Sequence, residues 1–412
     1  MSHSIIFPPG TDFSETLPHF RDAREFQNGD KQKVWNFGLG DIIGVPGLSE
    51  VCERTLQRMA PTAARLLMRL PGMQGALPFC ERLAELIAQE TGIRTTPNEI
   101  LLTSGGCDGI TIATLACCPR KSGVAYAVPS FPYWCVLQHT GVRQFPLAFS
   151  NPTEYRDCYA SRMIEFLAAN PGIKAVIFNE PQNPMGVPIR DDQLKKFGDY
   201  VGNNDITVIV DDVGRGLVQM VEGGWWGRYL PADKMIIIDS FTKRYACPGL
   251  RLGFIRAEKD QIRSMRGLVA NWRAGISNVC AEFGSQLFQE FDRTGQNGIV
   301  KNEILLRFRE FSKALPNLSS EFVQVHRPAW GLYCLLDFTN LEKATGIGGR
   351  QAVELIRRKG VLTLNDTFLF PPSCEDSCRN NIVRLSIGGT HDVQRGMESL
   401  IDITKSLNSS SS

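Results

Sequence analysis

Between residues 100 and 257 the chain repeats one pattern, a short run of β-branched and other apolar residues followed by a longer stretch with helical spacing. The runs are ILLTS (100–104), GVAYAVP (123–129), VRQFPLA (142–148), KAVIFNE (174–180), ITVIVDD (206–212), KMIIIDSF (234–241) and LRLGFIRA (250–257). Parallel strands need crossovers of a dozen or more residues, usually helical. The alternation therefore predicts an α/β fold whose large domain holds a mostly parallel seven-stranded sheet flanked by helices. Helical periodicity fits 77–92, stopped by Gly92, and 107–118, which opens directly from a glycine turn.

Beyond residue 258 the pattern changes. Residues 258–314 are almost wholly helical in spacing, then strand-like runs at 330–338 and 381–387 mix with helical stretches at 350–359 and 391–407. This mixture predicts a smaller α+β domain. The expected division is an N-terminal arm (1–45) packing with the small domain, a large domain (46–285), a small domain (286–408) and a disordered tail (409–412). A chain of 412 residues has room for both domains.

Composition narrows the partners. Forty-five basic residues against 43 acidic ones leave a net charge of +2, so nothing points to nucleic acid or an anionic membrane. The opening residues lack a signal-peptide pattern, and no stretch approaches a membrane span. A soluble, cytoplasmic protein acting on small molecules is expected. The 12 cysteines include no CxxC pair and no interleaving with histidine, so they read as reduced, mostly buried small hydrophobes rather than metal ligands.

In open α/β sheets, ligands sit outside the carboxyl ends of the strands. The residues there are, in order, Ser104-Gly105-Gly106-Cys107, Pro129-Ser130-Phe131, Asn179 to Asn183, Asp211-Asp212, and Ser240 to Lys243. Each has an ordinary reading as a tight turn, a packing aromatic, a cap or a solvated cation. Together they suit a flat, phosphorylated, nitrogen-containing aromatic carbonyl compound. Backbone N–H groups after Gly105-Gly106 would take the phosphate, and Phe131 would stack on the ring. Asp211 would face a protonated ring nitrogen, and a shielded Lys243 would form a Schiff base.

These residues resemble the pyridoxal-phosphate enzymes of fold type I, specifically class I/II aminotransferases, from about residue 35 to residue 390. SFTK followed by PGLRLG is similar to that family's Schiff-base lysine segment with its phosphate-binding arginine eight residues on, here Ser240, Lys243 and Arg251. PQNPMG (181–186) resembles the segment that places Asn183 beside the cofactor's phenolic oxygen, and Asp211 matches the aspartate that pairs with the ring nitrogen. LTSGGCDGI resembles the phosphate-cradling turn, here Gly105, Gly106 and Cys107. PSFPYW matches the stacking aromatic at Phe131, with Trp134 nearby as a pocket residue. VRLSI and NFGLGD resemble the substrate end, with Arg384 gripping an α-carboxylate opposite Gly38.

The resemblance implies pyridoxal 5′-phosphate as cofactor, an α-amino acid and a 2-oxo acid as substrates, and a homodimer. Lys243 would move the α-proton once released. Two departures bear on the reaction. Gly214 stands where the family has a tyrosine that donates to the cofactor's O3′, and Leu70 replaces a tyrosine that reaches the neighbouring subunit's phosphate. Arg215, Tyr133 or Trp134 are candidates for a substitute contact. An aminotransferase is the expected activity. Elimination, replacement, cyclisation or oxidation of an amino acid on the same scaffold is the alternative. A non-catalytic regulator would need a DNA-binding appendage, and the 35 to 45 residues before the domain carry no basic helix-turn-helix pattern.

Overall fold

The computed structural model describes residues 34–217, 226–372, 374, 381–390 and 392–409. Most of the expected N-terminal arm, and residues 410–412 of the expected tail, lie outside them. The described chain opens with a short strand, β1 (Trp35–Asn36). The large sheet follows as β2 (Ile100–Thr103), β3 (Gly123–Val128), β4 (Arg143–Ala148), β5 (Ile173–Asn179), β6 (Thr207–Asp211), β7 (Met235–Ser240) and β8 (Gly253–Arg256). All seven expected strands form, in the order β2-β8-β7-β6-β5-β3-β4.

Strands β3 to β7 pair in parallel, whereas β8 runs antiparallel to both β7 and β2. The reversal has a simple cause. The twelve residues between β7 and β8 are taken up by two short helices, Phe241–Arg244 and Pro248–Leu250, and their loops, leaving no long helix to carry the chain back along the sheet. Strands β2, β3, β7 and β8 are buried at every residue, as a sheet covered on both faces requires. The chain leaves β3 for the β4 edge and returns on the other side of β3 as β5. The loops after β3 and β5 therefore diverge, which opens a crevice at the carboxyl ends.

Helices Lys259–Trp272, Asn278–Thr294 and Ile299–Leu318 form the expected helical stretch. Asn278–Thr294 runs unbroken through residue 285 and is tied to helix Leu48–Leu67 by Glu290. That carboxylate is wholly buried and takes Arg54 at 2.6 Å, Arg58 at 3.1 Å and Arg293 at 2.7 Å. The smaller sheet contains β9 (Gln324–His326) and β10 (Tyr333–Asp337). After β11 (Val361–Leu362) come β12 (Leu364–Asn365) and β13 (Ile382–Ser386), and the sheet order is β12-β13-β10-β9. Helices Gly349–Arg358 and Val393–Ser409 accompany it.

The segment after β1 is fixed to this smaller unit. β1 pairs in parallel with β11, and the N–H groups of Gly38 and Leu39 donate to Asn36 Oδ1 at 3.1 and 3.0 Å. The buried Arg307 guanidinium donates to the carbonyls of Ile43 (2.8 Å), Gly44 (3.1 Å) and Gly388 (3.1 Å). Glycine is required at 388, because a β-carbon there would lie 2.5 Å from the Asp41 carbonyl oxygen.

The cysteines depart from expectation. Among the described ones only Cys80, Cys118 and Cys334 are buried, while Cys107 and Cys158 are exposed and none is bridged. Most lie on helix flanks rather than in strands, so they escape the doubly covered sheet. Among the described residues no three metal-ligating side chains converge, and no helix is long and apolar enough to cross a membrane.

Candidate active site

The strand-end loops of the large sheet, the segment after β1 and the smaller sheet surround one cleft of about 840 Å³. Of the residues singled out in the sequence, Gly38, Gly106, Cys107, Phe131, Asn183, Asp211, Ser240, Lys243, Arg251 and Arg384 all line it. Gly105 sits one layer back. Its backbone is left-handed (φ +91°), and a β-carbon there would lie 3.1 Å from Arg251 Nη2, so the guanidinium packs against the bare α-carbon.

Around Lys243 the geometry is set by the end of β7. Ser240 caps helix Phe241–Arg244, accepting from the Thr242 N–H at 3.2 Å and donating to the Leu252 carbonyl at 3.2 Å. Lys243 then projects into the cleft with 15% of its side chain exposed, and its Nζ lies 2.7 Å from Asp41 Oδ1. The next residue, Arg244, points the other way, into a buried ion network. It makes a bidentate pair with Glu90 (2.6 and 2.9 Å) and donates to Asp239 at 2.8 Å. Burial lifts the Glu90 carboxyl, but Arg244, with Arg215 and Lys301 behind it, more than offsets this and holds it below its ordinary value. Arg251, in a left-handed conformation at φ 49°, reaches the Pro248 carbonyl at 3.0 Å and the Ser104 carbonyl at 3.4 Å.

Arg251 thereby borders the start of helix Gly106–Cys117, whose first N–H groups have no intrahelical acceptor. The turn is stiffened by Asp108, which accepts from the Ser104 N–H at 2.6 Å and pairs with Arg273 at 3.0 Å. Neither Asp108 nor Arg273 stood out in the sequence. An acidic residue in the first turn of a helix was the available sign.

Asp211 ends β6 at the floor of the cleft, 6% exposed. The Tyr133 hydroxyl donates to its Oδ2 at 2.5 Å, and the Val213 N–H reaches Oδ1 at 3.3 Å. Burial pushes the Asp211 carboxyl above its usual range, with Tyr133, Val213 and Lys243 pulling it part of the way back. Across the crevice, the Phe131 N–H donates to the Asn183 carbonyl at 3.0 Å, joining the loops after β3 and β5. The Asn183 N–H donates to Asn179 Oδ1 at 2.8 Å.

Arg384 enters from β13. It is 4% exposed, donates to the Gly38 carbonyl at 2.6 Å and to Asn183 Oδ1 at 3.2 Å, and stacks 4.7 Å over the Tyr333 ring. Its Nε is buried without a hydrogen-bond partner. Burial draws its pKa below the ordinary arginine value, opposed by Tyr333 and Asp41.

Three expectations are corrected. Trp134 does not line the cleft. The one-turn helix Tyr133–Leu137 turns Tyr133, Trp134 and Leu137 onto its buried face, so Trp134 is 4% exposed within the apolar core of the large sheet. Trp330, by contrast, does line the cleft. Arg215 is no substitute for the missing tyrosine, because it turns away, 3.8 Å from Asp212, 3.3 Å from the Glu90 carbonyl and 5.7 Å over Trp226. Tyr133 is committed to Asp211. At Gly214 the backbone borders the cleft, and a β-carbon would lie 3.1 Å from Pro181 Cγ.

This fold is that of the pyridoxal-phosphate-dependent proteins of fold type I. The chain belongs to the aminotransferase class I and II family, whose model matches residues 32–400. It is 27% identical over 253 residues to valine–pyruvate aminotransferase of Mycobacterium tuberculosis, covering 60% of this chain and 63% of that protein. It is 23% identical over 308 residues to 1-aminocyclopropane-1-carboxylate synthase 8 of Arabidopsis thaliana, covering 70% and 64%. The chain thus spans a little under two thirds of the length of these relatives. Among solved structures, aspartate aminotransferase from Thermus thermophilus with maleate superposes with a TM-score of 0.78 at 18% identity, over 97% of each chain.

Pyridoxal phosphate is the cofactor of this family, and the residues present fit it. The helix start at Gly106 and the Arg251 guanidinium offer donors for a phosphate. Asp211 is a buried acceptor for a ring N–H, and Phe131 faces the same space. The unpartnered Arg384 Nε, with its planar fork of donors, suits a carboxylate next to that ring.

Proposed function

We propose that this protein is an aminotransferase, moving the amine of an α-amino acid to a 2-oxo acid. One observation carries the reading. Lys243 Nζ lies in one cleft with a buried carboxylate, Asp211, and a buried arginine, Arg384, whose Nε has no hydrogen-bond partner. Bound there, pyridoxal phosphate supplies a carbonyl that takes up amines and a ring that accepts electrons.

The chain's own residues do the rest. Gly105, Gly106 and Cys107 form the helix start that, with Ser240 and Arg251, holds the phosphate. Asp211 keeps the ring nitrogen protonated, Phe131 supports the ring face, and Asn183 meets the phenolic oxygen. Arg384 grips the α-carboxylate against Gly38, which sets the amine toward Lys243 and the α-proton within its reach. Lys243 then carries that proton between carbon atoms as general base and acid. The expected boundary at 285 falls inside helix Asn278–Thr294, which Glu290 ties to helix Leu48–Leu67, so we assign residues 46–294 to a large unit and 295–408 to a small one with the N-terminal segment. The separate sheets and the β1–β11 pairing support this. We further propose a homodimer, supported by Leu67, Met68, Leu70 and Trp272, each more than half exposed. Sedimentation of the purified protein tests that point.

A second reading draws on Gly214. With no phenol at that position, and a synthase among the relatives, the same cleft suits elimination, replacement, cyclisation or oxidation of an amino acid. One experiment separates the two. The loaded protein is mixed with single amino acids and no oxo acid. Release of one equivalent of 2-oxo acid per site, with turnover resuming only when a 2-oxo acid acceptor is added, supports transamination. Repeated turnover without an acceptor supports the second reading and removes the first.

A further inference from the structure

Asp41 is a carboxylate that the roles above do not use, and its placement is specific. It lies on the segment fixed by Asn36, Arg307 and Gly388, so the backbone presenting it does not depend on Lys243. Its Oδ1 meets Nζ at 2.7 Å, and a third of its side chain is open to the cleft. Were Nζ engaged by the cofactor, Asp41 would still face the cleft from its own fixed backbone, with its carboxylate available to a second cation. The next cation to arrive at that spot is the amine of the substrate. Arg384 holds the α-carboxylate of the same molecule, and the amine must come to the position Nζ occupies.

We infer that Asp41 is the amine-recognition residue of this site, counter-ion to the Lys243 ammonium in the free protein and to the substrate's α-ammonium in the loaded one. This inference rests on the reading of Lys243 as covalent anchor. It also narrows the substrate class to α-amino acids without an acidic side chain. The charged groups facing the cleft are Asp41, Asp211 and Glu354 against Lys243, Arg251, Arg384, Arg350 and Arg357. Arg251 lies at the phosphate end and Arg384 serves the α-carboxylate. Arg350 is paired with Asp366 at 3.1 Å and Arg357 with Glu354 at 3.6 Å. A second carboxylate would meet Asp41 and compete for guanidinium groups already engaged.

The test uses the loaded protein and the nearly isosteric Asp41→Asn. The KM for neutral α-amino acids should rise about tenfold or more with kcat changed far less, as loss of a charge-assisted contact to the bound substrate requires. Calorimetric binding of a monocarboxylic acid that lacks the amine should be unchanged, and preference for aspartate or glutamate over a neutral amino acid should increase. Asp41→Glu should recover part of the KM. Equal weakening of the amine-free acid, or an unchanged KM, overturns the inference by showing that Asp41 only supports the cleft. Borohydride reduction and peptide mapping of the wild type separate the two levels. A linkage at another lysine overturns the underlying reading, whereas a linkage at Lys243 with wild-type KM in Asp41→Asn overturns this inference alone.

Discussion

At the Lys243 end of the cleft, Asp211, Ser240 and Lys243 come from the ends of neighbouring strands in one sheet, and Arg251 follows within a few residues. At the Arg384 end, the guanidinium reaches the Gly38 carbonyl across 346 positions of chain, and Asp41 reaches Lys243 across 202. The first end is built by local geometry, since a strand that stops at the crevice delivers its last side chain there whatever the rest of the molecule does. The second end exists only when β1, β13 and Arg307 have all found their places. The difference implies a division of labour, with chemistry at the locally built end and recognition at the end assembled over distance.

That division can be broken by four substitutions. Lys243→Ala should have the largest effect, lowering turnover by about 10⁴-fold and abolishing the borohydride-reducible linkage. Affinity for an amine-free monocarboxylic acid should stay within about twofold, because Arg384 and not Lys243 makes the carboxylate contact. A loss of that affinity would show the two ends to be one coupled unit. Arg384→Ala should do the reverse. Loss of a charged, buried contact worth roughly 3 kcal/mol lowers kcat/KM about 100-fold, while the Lys243 linkage forms as before, as mass mapping would report.

Tyr133→Phe tests the floor of the Lys243 end. It removes a donor from an ionised carboxylate, a contact of about 1.5 kcal/mol, so kcat should fall about tenfold. The sign of the pH effect follows from burial. Asp211 already has a raised pKa, and losing the Tyr133 hydroxyl raises it further. The ionised form is then lost at higher pH, so the acid limb of the rate profile moves upward. A downward shift would contradict the hydrogen-bond assignment. The smallest effect belongs to Trp134→Phe, a core change expected to cost about 1 kcal/mol of unfolding free energy with KM within about twofold. A large change in KM would return Trp134 to the substrate chamber.

The same contrast explains what could be read in advance. All seven strands of the large sheet were legible, because each is a buried run whose length and β-branched content leave few alternatives. Asp211, Ser240 and Lys243 were legible as strand-end residues. Trp134 was misplaced because its proximity to Phe131 in sequence says nothing of direction, and a single helical turn sends the indole into the core. Arg215 was misplaced for a similar reason. Asp212 and the Glu90 carbonyl draw it to the far side of the backbone. Asp41 and Asp108 were overlooked, since a lone acid after a glycine strip or in a first helical turn has many ordinary uses.

By itself, the sequence determined the α/β architecture, the family resemblance and the identity of the groups at the strand ends, because hydrophobic period and chain order act over a few residues. Only the tertiary structure decided that Asp41 meets Lys243, that Tyr133 serves Asp211 and that Arg384 lies buried with one donor unused. Those pairings join segments between 78 and 346 residues apart. Their partners are selected by the packing of whole sheets, and no local pattern records them.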